Sequence, residues 1–506
     1  MASYKTGSSN IIWSDFPDPD IIRVDDTYYM VSTTMHFFPG CVILRSYNLL
    51  DWEFCSYVYD ELDNTDGQKL TDNKGIYGKG MWAATLRYHN GTFYVCFVCN
   101  DTHKTYCYTS SSITGPWKKF IIPGFYHDMS LLFDDDGKVY VVSGNTNIIL
   151  TEMEKDLSKA KEGGINKVII EDDKSKIILG YEGCHFYKIN GKYYIFMIHM
   201  LKDKMRSEAC YYSDKVDGPY TGCDVLHSDL GEWNSGVAQG GIVQTPDGNW
   251  FGILFQDHGA LGRIPVLVPV NFDEKGFPVF GINNKAAEEV TVLDNRPDYK
   301  YKPLFSSDFT DPAWQFNHTP DKKLISLSKR SFSITTDKLS VNVTKAANSL
   351  TQRTFTHQCQ GTVKVDASGI NDGDYAGLCA LEGEYGFIAV TKENNQFFLV
   401  KAEHKIPYSP WAMNVTDDEK PLFLEKTPLK NGEIQLKMEF NLAKNQQFVQ
   451  FSFFDDSEKK WVKKGTPTKL KYTLDQFVGV RFTLFCYSTI QAGGTALFTN
   501  FDYKLI

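Results

Sequence analysis

The stretch "YHNGTFYVCFV" (residues 88–98) reads as a β-hairpin, and its pattern decides the fold. Its Asn-Gly pair supplies the positive φ angles that a tight hairpin turn needs, and the flanking residues alternate as in a half-buried strand. The same combination of polar turn, aromatic residues and alternating apolar positions recurs along the first half of the chain. Further copies are residues 24–33, 133–144, 187–198 and 245–256.

A repeated hairpin of this kind predicts a β-propeller. Segments such as "SSSITGPWKKF" follow several hairpins with a polar turn and an aromatic residue, where outer strands of a four-stranded blade would begin. Five blades closed in a ring create an axial depression that suits a ligand. Beyond the proline-bearing residues 293–309 the repeat ends, and short alternating strands predict a β-sandwich. We therefore predict an all-β protein with a five-bladed propeller over residues 1–300 and a β-sandwich over residues 301–506.

Composition limits the class of partner and the compartment. The net charge is -9 and the basic residues are scattered, which argues against nucleic acid or an anionic membrane surface as a partner. The chain has eleven cysteines, several of them in apolar strand contexts such as "FYVCFVCN", which favours buried free thiols in a reducing compartment. The first residues also lack the apolar segment of a secretory signal. We expect a cytoplasmic protein that binds a neutral or cationic ligand.

Acidic residues stand where inner strands of the propeller would begin. In "DFPDPD" (residues 15–20) Asp15, Asp18 and Asp20 all qualify for the axial depression, and the flanking prolines predict an extended, rigid backbone at Asp18. Asp128 and Glu182 precede two other hairpins in apolar surroundings that raise the pKa of a carboxyl group. Such acids also cap turns or accept backbone N–H groups. Two acids beside aromatic residues are typical of glycoside hydrolysis.

At these residues the sequence resembles the family 43 glycoside hydrolases. "FPDPDIIRVDDTYYMVSTTMHFFPG", "GMWAATLRYHNGTFYV", "HDMSLLFDDDGKVYVV" and "YEGCHFYKINGKYY" are similar to its blade motifs, and "PLFSSDF" through "GGTALFTNFDYKLI" resembles the concanavalin-like sandwich of its β-xylosidase-type members. The resemblance implies an inverting, exo-acting enzyme that removes β-D-xylosyl or α-L-arabinofuranosyl groups from oligosaccharide ends. A β-xylosidase, an α-L-arabinofuranosidase proper and, more remotely, a non-catalytic carbohydrate-binding propeller stay open as alternatives.

The resemblance also implies roles for the acids. Asp18 is similar to the general base, Glu182 to the general acid and Asp128 to the third carboxylate that orients the acid. Asp15 and Asp20 are then expected to be turn and surface residues. Inversion requires the Asp18 and Glu182 carboxyl groups to stand ~6.5 to 9.5 Å apart, and Asp128 should lie close to Glu182.

Several further residues are expected to bind the sugar. By resemblance, Trp82 walls the pocket and Arg263 donates to sugar hydroxyls. We expect His36, Phe37 and Phe38 of "MHFFPG" to line the same pocket. Tyr487 and Thr489 are candidates for a wall that the sandwich would contribute.

The resemblance raises the question of a metal ion. Many relatives have a histidine on the propeller axis that binds calcium or water, and Gln239 of "AQGGIV" stands in its place here. A structural Ca²⁺ is therefore in doubt, although the amide oxygen of Gln239 suits one, and His258 is either a replacement axial group or a core histidine. We predict that no cofactor is required and, by resemblance, that the protein is a homodimer or homotetramer acting on a small oligosaccharide.

Overall fold

A computed structural model describes residues 3–413, 415 and 417–506, and its regular structure consists almost entirely of β-strands. Two short 3-10 helices occur in this part of the chain, Gly259–Leu261 and Val343–Lys345. No helix of the described residues is long and apolar enough to cross a membrane. The all-β prediction is confirmed.

Five four-stranded antiparallel sheets follow one another and form the blades of a propeller. Their inner strands contact one another in a closed ring, from blade 1 through blade 5 and back to blade 1. From the inner to the outer edge, blade 1 comprises Asp20–Val24, Thr27–Ser32, Gly40–Ser46 and Glu53–Tyr59; blade 2 Thr85–His89, Thr92–Cys99, Lys104–Ser110 and Lys118–Ile122; blade 3 Ser130–Phe133, Val139–Asn145, Asn147–Met153 and Asn166–Glu171; blade 4 Ile177–Ile189, Lys192–Leu201, Arg206–Ser213 and Thr221–Leu226; and blade 5 Ala238–Gln244, Trp250–Asp257, Arg263–Phe272 and Pro278–Phe280.

The hairpin turns adopt the backbone that their sequences predict. Asn90 and Gly91 have φ of 49° and 77°, and Asn190 and Gly191 have φ of 50° and 80°. These turns end the inner strands at one end of the propeller axis, so the beginnings of the inner strands gather at the other end. Ser3–Ser8, which precedes blade 1 in the sequence, pairs with Glu289–Asp294, which follows blade 5. This pairing joins the first and last segments of the propeller region.

The remaining strands form two sheets that pack face to face as a β-sandwich. One sheet contains, in spatial order, Leu422–Leu429, Gln396–His404, Tyr385–Glu393, Asp374–Leu381, Arg481–Ser488, Leu350–Arg353, Trp314–Asn317 and Phe37–Phe38. The other contains Ile325–Ser328, Ser331–Thr335, Thr495–Leu505, Gln358–Gly369, Glu433–Asn441, Phe448–Asp455 and Lys460–Lys463, with Thr468–Lys469 beside Phe448–Asp455.

The propeller and the sandwich share an interface. Phe37–Phe38, from blade 1 of the propeller, is the edge strand of a sandwich sheet and pairs with Trp314–Asn317. One apolar core runs from Phe16 and Leu261 of the propeller to Phe482 of the sandwich. This packing brings the sandwich loop that contains Phe477 to the end of the propeller where the inner strands begin.

Candidate active site

The three carboxylates singled out in the sequence line one pocket. Asp18 and Asp128 each stand two residues before an inner strand, in blades 1 and 3, and Glu182 lies within the inner strand of blade 4. The pocket has a volume of about 70 Å³. Successive inner strands begin at the same end of the axis, so residues far apart in sequence converge there.

Near this end of the axis, blades 1, 3, 4 and 5 each have a residue with a left-handed backbone. Asp18 has φ of 52°, Asp128 of 47°, Gly183 of 62° and Gln239 of 60°. The prediction of an extended backbone at Asp18 is therefore wrong, although Pro19 follows it. Non-glycine residues rarely adopt this region, and such residues concentrate at functional sites. Bonds from Thr33 N and Ser32 Oγ to the carbonyl oxygen of Pro17 hold the segment beside blade 1.

Asp18 forms a buried ion pair with Arg263. The Arg263 Nη1 to Asp18 Oδ1 distance is 2.8 Å. Burial raises the pKa of the Asp18 carboxyl group, and the Arg263 charge opposes that rise. The guanidinium lies over the rings of Phe255 and Phe477, at 5.4 and 4.3 Å from their centroids. Arg263 is thus fixed against the carboxylate, and its role in binding sugar hydroxyls stays a prediction.

Asp128 and Glu182 both lie close to the same ring nitrogen of His127. Oxygen atoms of the two carboxyl groups and a His127 ring nitrogen all lie within 4.8 Å of one another, so Asp128 is close to Glu182 as expected. His127 Nε2 lies 3.4 Å from Glu182 Oε2 and 3.7 Å from Asp128 Oδ2. Asn145 Nδ2 donates to the same Glu182 Oε2 at 2.5 Å. The two donors on Oε2 leave Oε1 as the oxygen of Glu182 available to carry a proton.

Burial and neighbouring charges shift the pKa values of Asp128 and His127. Burial raises the pKa of Asp128 to about 7; the negative charges of Glu182 and Asp18 add to the rise, and His127 opposes it. Burial alone would lower the pKa of His127, but the carboxylates of Asp128 and Glu182 raise it to about 9. At neutral pH a positively charged imidazole therefore lies beside two carboxyl groups.

Aromatic side chains from both domains wall the pocket. Trp82 lines it, with its ring centroid 6.0 Å from those of His127 and Phe477. Trp82 Nε1 donates to the carbonyl oxygen of Gly78 at 3.2 Å, which fixes the orientation of the indole. Phe477 belongs to the sandwich, so that domain contributes one wall of the pocket.

Three residues expected in the pocket lie behind its wall instead. His36, Phe37 and Phe38 are buried, and none of them lines the pocket. Phe37 and Phe38 form the strand that joins the propeller to the sandwich, so pairing with the neighbouring strand fixes their side chains between the domains. The ring of His36 packs on Phe37 and His318 at centroid distances of 4.2 and 5.1 Å. The expectation that these residues contact sugar is corrected.

The sandwich wall is formed by other residues than expected. Tyr487 is buried within the sandwich, where its ring stacks on Tyr375 at 5.1 Å. Thr489 Oγ1 donates to the carbonyl oxygen of Gly373 at 2.7 Å. Both residues are committed to the sandwich's own packing, and the loop with Phe477 reaches the pocket in their place.

Asp15 and Asp20 are not turn or surface residues, contrary to expectation. Asp15 is buried between the domains and accepts hydrogen bonds from the backbone N–H groups of Arg263 and Gly479, at 2.8 and 3.0 Å. Asp20 is fully buried and pairs with Arg87 at 2.7 Å and with His185 at 3.0 Å. Each carboxylate satisfies buried donors that lie far away in the sequence.

Sequence reasoning missed four residues of the site. His127 was visible beside Asp128 in "HDMSL", but Asn145, Arg206 and Phe477 carry no local signal. Arg206 lines the pocket, pairs with Asp257 and lies with its guanidinium 5.6 Å from the ring centroid of Phe255. Two guanidinium groups, those of Arg206 and Arg263, therefore face the carboxylates, and only the fold brings them together.

Comparisons with known proteins identify the family of the chain. Residues 8–278 match the model of glycosyl hydrolases family 43, and residues 303–504 match that of the beta-xylosidase C-terminal concanavalin A-like domain. The chain belongs to family 43 of the glycosyl hydrolases. Its propeller carries the matched family region, and its sandwich is the accompanying C-terminal domain.

Individual family 43 relatives are moderately similar. A beta-xylosidase of Formosa agariphila is 29% identical over 361 residues, which are 63% of this chain and 60% of that protein. A non-reducing end alpha-L-arabinofuranosidase of Bacteroides ovatus is 28% identical over 67% of this chain and 66% of its own length. A solved structure of a bifunctional GH43-CE protein of Bacteroides eggerthii, at 38% identity and a TM-score of 0.89, covers all of this chain, which corresponds to 64% of that chain. The chain thus spans less than two thirds of the Formosa and Bacteroides eggerthii proteins.

The residues near the propeller axis do not fit a calcium ion. Ca²⁺ takes six to eight oxygen ligands. Gln239 lines the pocket and packs against Gly183, and its backbone N–H donates to Glu208 at 2.7 Å. Burial holds the pKa of Glu208 well above its usual range, which disfavours the ionised form that a cation would need. Across residues 3–413, 415 and 417–506, the three-residue group with suitable metal ligands is His127, Asp128 and Glu182, and its imidazole and two carboxyl groups offer fewer oxygen ligands than Ca²⁺ takes.

His258 is a core histidine and not an axial group. Its Nε2 lies 3.0 Å from Gln256 Oε1, and its ring packs edge-on against Trp13 at 5.4 Å. Burial lowers its pKa to about 3, so the ring is neutral. It does not line the pocket.

Proposed function

We propose that this chain is an inverting, exo-acting glycoside hydrolase that releases β-D-xylosyl units from the ends of xylo-oligosaccharides. The observation that carries the proposal is the convergence of Asp18, Asp128 and Glu182 on one small aromatic pocket. Family membership and the beta-xylosidase among its relatives support the same reaction.

In the proposed reaction, Glu182 and Asp18 carry out the two proton transfers. Glu182 gives a proton from Oε1 to the glycosidic oxygen as the bond between that oxygen and the anomeric carbon breaks. Asp18 accepts a proton from a water molecule whose oxygen attacks the anomeric carbon from the opposite face. The Arg263 ion pair favours the ionised form of Asp18 and opposes the rise in its pKa that burial causes. Asp128, beside His127, sets the electrostatic surroundings of Glu182.

The pocket suits a chain end. Its volume of about 70 Å³ is small, and Trp82 and Phe477 wall it. An aromatic ring packs well on the C–H face of a sugar. A pocket closed by the sandwich on one side admits a terminal unit more readily than the middle of a chain, which supports exo action.

The test is hydrolysis of an aryl β-D-xylopyranoside and an aryl α-L-arabinofuranoside by wild type and by Glu182→Ala. We expect the substitution to lower kcat on the xyloside by about 10²- to 10⁴-fold, because general acid catalysis is worth that much. A dinitrophenyl xyloside, whose leaving group needs no proton, should be cleaved by the variant at near the wild-type rate. Equal activity of wild type and variant on both aryl glycosides would reject Glu182 as the acid.

The stereochemical outcome is a separate test. Proton NMR of the first product should give the anomer opposite to that of the substrate. Net retention would exclude Asp18 as the base that activates water, because a retaining pair forms a glycosyl-enzyme intermediate.

An α-L-arabinofuranosidase is the second candidate, favoured by the name and similarity of the Bacteroides ovatus relative. The same pair of aryl glycosides ranks the two activities by kcat/KM. A preference for the arabinofuranoside would transfer the proposal to this second reaction with the same three carboxylates.

We also propose a homo-oligomer, a dimer or tetramer, in a reducing cytoplasm. Leu422, Phe423 and Leu424 expose apolar surface on the edge strand Leu422–Leu429, which a second copy of the chain would cover. All eleven cysteines are free thiols, which supports a reducing compartment. Sedimentation velocity measures the oligomeric state directly, and a monomer at micromolar concentration would reject this part of the proposal.

A further inference from the structure

A second depression lies on the propeller axis, at the end opposite the carboxylate pocket. All five blades line it, with Arg23 of blade 1, Tyr88 of blade 2, Phe133 of blade 3, Tyr187 of blade 4 and Trp250 of blade 5 among its residues. We call it the distal depression. Its volume is about 360 Å³, within the range of ~300–1,000 Å³ that small-ligand sites occupy. Every residue of its lining belongs to the described part of the chain.

Arg87 closes the floor of the distal depression. Its guanidinium donates to Asp20 of blade 1 at 2.7 Å and to the carbonyl oxygens of Leu131 in blade 3 and Phe186 in blade 4, at 2.8 and 3.3 Å. One side chain of blade 2 thus links three other blades across the axis. Among the described residues, none lines both the distal depression and the carboxylate pocket. A ligand in the distal depression therefore does not contact the three carboxylates of the pocket.

Two of the three arginine and lysine side chains that line the distal depression are paired with carboxylates. The Lys188 ammonium group lies 2.5 Å from Asp134 Oδ1 and 2.9 Å from Asp135 Oδ2. Arg87 is paired with Asp20. A multiply charged anion is attracted by unpaired cations, so a lining with most of its cations paired favours a neutral ligand.

Accessible polar atoms of the distal depression lack partners. Arg23 is exposed; its Nε and Nη1 donate to the carbonyl oxygens of Gln244 and Asp25, at 2.6 and 2.7 Å, and its Nη2 has no partner among the described residues. The hydroxyl of Tyr88, which is 44% exposed, and Nε1 of the half-buried Trp250 also have none in that part of the chain. The exposed Gln244 adds a free side-chain oxygen, because its amide nitrogen donates to the carbonyl oxygen of Gly248. Sugar hydroxyl groups both donate and accept, and this set of atoms serves both needs.

Aromatic rings around the distal depression are held in place by their neighbours. The Tyr88 ring packs on Phe93 at a centroid distance of 4.5 Å, and the Trp250 ring meets Phe272 edge-on at 5.7 Å. Blades 2 and 5, which carry Tyr88 and Trp250, flank blade 1, which carries Arg23. An aromatic ring packs on the C–H face of a sugar while hydrogen-bonding groups beside it bind the hydroxyl groups.

We propose that the distal depression is a second saccharide site, which binds a pentose unit without cleaving it. This inference rests on the proposed function in its choice of sugar. The unit has two candidate sources, one residue of a xylo-oligosaccharide or a free pentose, and both present the same hydroxyl groups. The site would hold a saccharide on the enzyme while the carboxylate pocket acts on another chain end.

The test follows the indole N–H signals of ¹⁵N-tryptophan-labelled protein by NMR. Trp250 reports the distal depression and Trp82 reports the carboxylate pocket, each assigned with its phenylalanine variant. The protein carries Glu182→Gln so that xylotriose is not consumed. It is titrated separately with xylotriose, D-xylose and inorganic phosphate. We expect xylotriose to shift the Trp250 signal in a saturable manner.

Two variants weaken the site by different means. Arg23→Met removes the free donor and keeps the length of the side chain, and the Kd that the Trp250 signal reports for xylotriose should rise about tenfold. Tyr88→Ala removes an aromatic face, and the same Kd should rise about three- to tenfold. Arg330→Met is the control for the first variant, because Arg330 is exposed and forms no ion pair among the described residues. Ile121→Ala is the control for the second, because Ile121 is also 44% exposed and lies on the outer strand of blade 2.

The three titrations separate the possible ligands. A Trp250 shift with xylotriose and not with D-xylose assigns the site to a chain, and equal Kd values for both assign it to a single pentose. No Trp250 shift with either sugar, or a shift with phosphate alone, would overturn the inference. So would controls that weaken binding as much as Arg23→Met and Tyr88→Ala do.

This inference and the proposed function fail in distinguishable ways. If wild type cleaves no xyloside, the proposed function fails, and the Trp250 signal still decides the distal depression. If wild type cleaves the xyloside and the Trp250 signal does not respond to sugar, the inference alone fails.

Discussion

Two clusters at the inner strands of the propeller each combine carboxylate and histidine, and they differ in how completely their groups are paired. In one, Asp20 contacts Arg87 and His185; in the other, His127 lies beside Asp128 and Glu182. Asp20 Oδ2 also accepts from the backbone N–H of Leu86, and Oδ1 from that of Ile21. Asp128 Oδ1, by contrast, is buried and has no partner among the described residues.

The difference appears in the pKa values. Burial raises the pKa of both aspartates, but the charges of Arg87 and His185 outweigh it and hold the pKa of Asp20 well below its usual range. For Asp128 the effect of burial prevails and the pKa rises to about 7, because the charge of His127 offsets burial only in part and the charges of Glu182 and Asp18 add to the rise. A fully paired acid stabilises the fold, whereas a group with incomplete pairing and shifted pKa values beside a cleft suits proton transfer.

The largest effect should come from breaking the paired cluster. Asp20→Asn leaves the charge of Arg87 buried without its partner, and removal of one member of a buried ion pair costs about 3–5 kcal/mol. We expect the first unfolding transition in scanning calorimetry to shift down by several degrees. Asp26→Asn is the matched control in the same blade, because the Asp26–Arg296 pair is exposed and such pairs contribute about 0–1 kcal/mol.

Glu182→Ala should give the opposite result, with lost activity and a thermal midpoint close to that of wild type. A stable Asp20→Asn variant would mean that the buried cluster does not differ from the active-site cluster in its structural role.

A smaller effect should come from Asp128→Asn, and it should depend on pH. The folded-state pKa of about 7 lies above the ordinary aspartate value, so the folded protein keeps a proton that the unfolded chain releases. Wild-type stability from this group therefore falls as pH rises from ~4 to ~7, by up to about 1.4 kcal/mol per pH unit. Asparagine carries no such proton, so the variant should gain thermal stability relative to wild type over that range and hold the gain above it.

Thermal midpoints of both proteins at pH 5, 6, 7 and 8 measure this gain. Asp134→Asn provides the contrast, because Lys188 and Tyr193 outweigh burial and lower the pKa of Asp134. The thermal midpoint of Asp134→Asn should lie below that of wild type by the same amount at all four pH values. Parallel curves for wild type and Asp128→Asn would mean that Asp128 is ionised throughout.

Local signals explain why the fold was predictable. Asn90-Gly91 and Asn190-Gly191 specify tight turns within a few residues, and repetition of the flanking pattern specifies the number of blades. The candidate acids were predictable for the same reason, because Asp18 and Asp128 precede inner strands that the sequence indicates and Glu182 lies within one. The backbone of Asp18 was not, because tertiary contacts around Pro17 override the preference that Pro19 imposes.

Long-range contacts explain what the sequence concealed. Asp20 resembles a surface acid until the fold brings Arg87, 67 residues away, against it. Phe37 and Phe38 have the composition of a sugar-binding wall, but a strand of the other domain pairs with them. Phe477 reaches the pocket only because the sandwich packs on the propeller, and nothing in its own neighbourhood distinguishes it from Tyr487.

The smallest effect, and the finest test of the unpaired cluster, concerns His127. Phenylalanine at this position keeps an aromatic ring beside Trp82 and removes a charge within 3.4 to 3.7 Å of both carboxyl groups. The imidazolium favours ionisation of the Asp128 and Glu182 carboxyl groups. Without it, these two carboxyl groups should keep their shared proton to a higher pH. We expect the alkaline limb of the kcat/KM profile to move upward by about one pH unit in His127→Phe, because a charge this close shifts a pKa by that order.

His89→Phe is the control, since His89 stacks on Phe133 and forms no ion pair within the described residues. An unmoved limb in His127→Phe would reduce His127 to a packing residue, and the contrast between the two clusters would then rest on Asp128 and Glu182 alone.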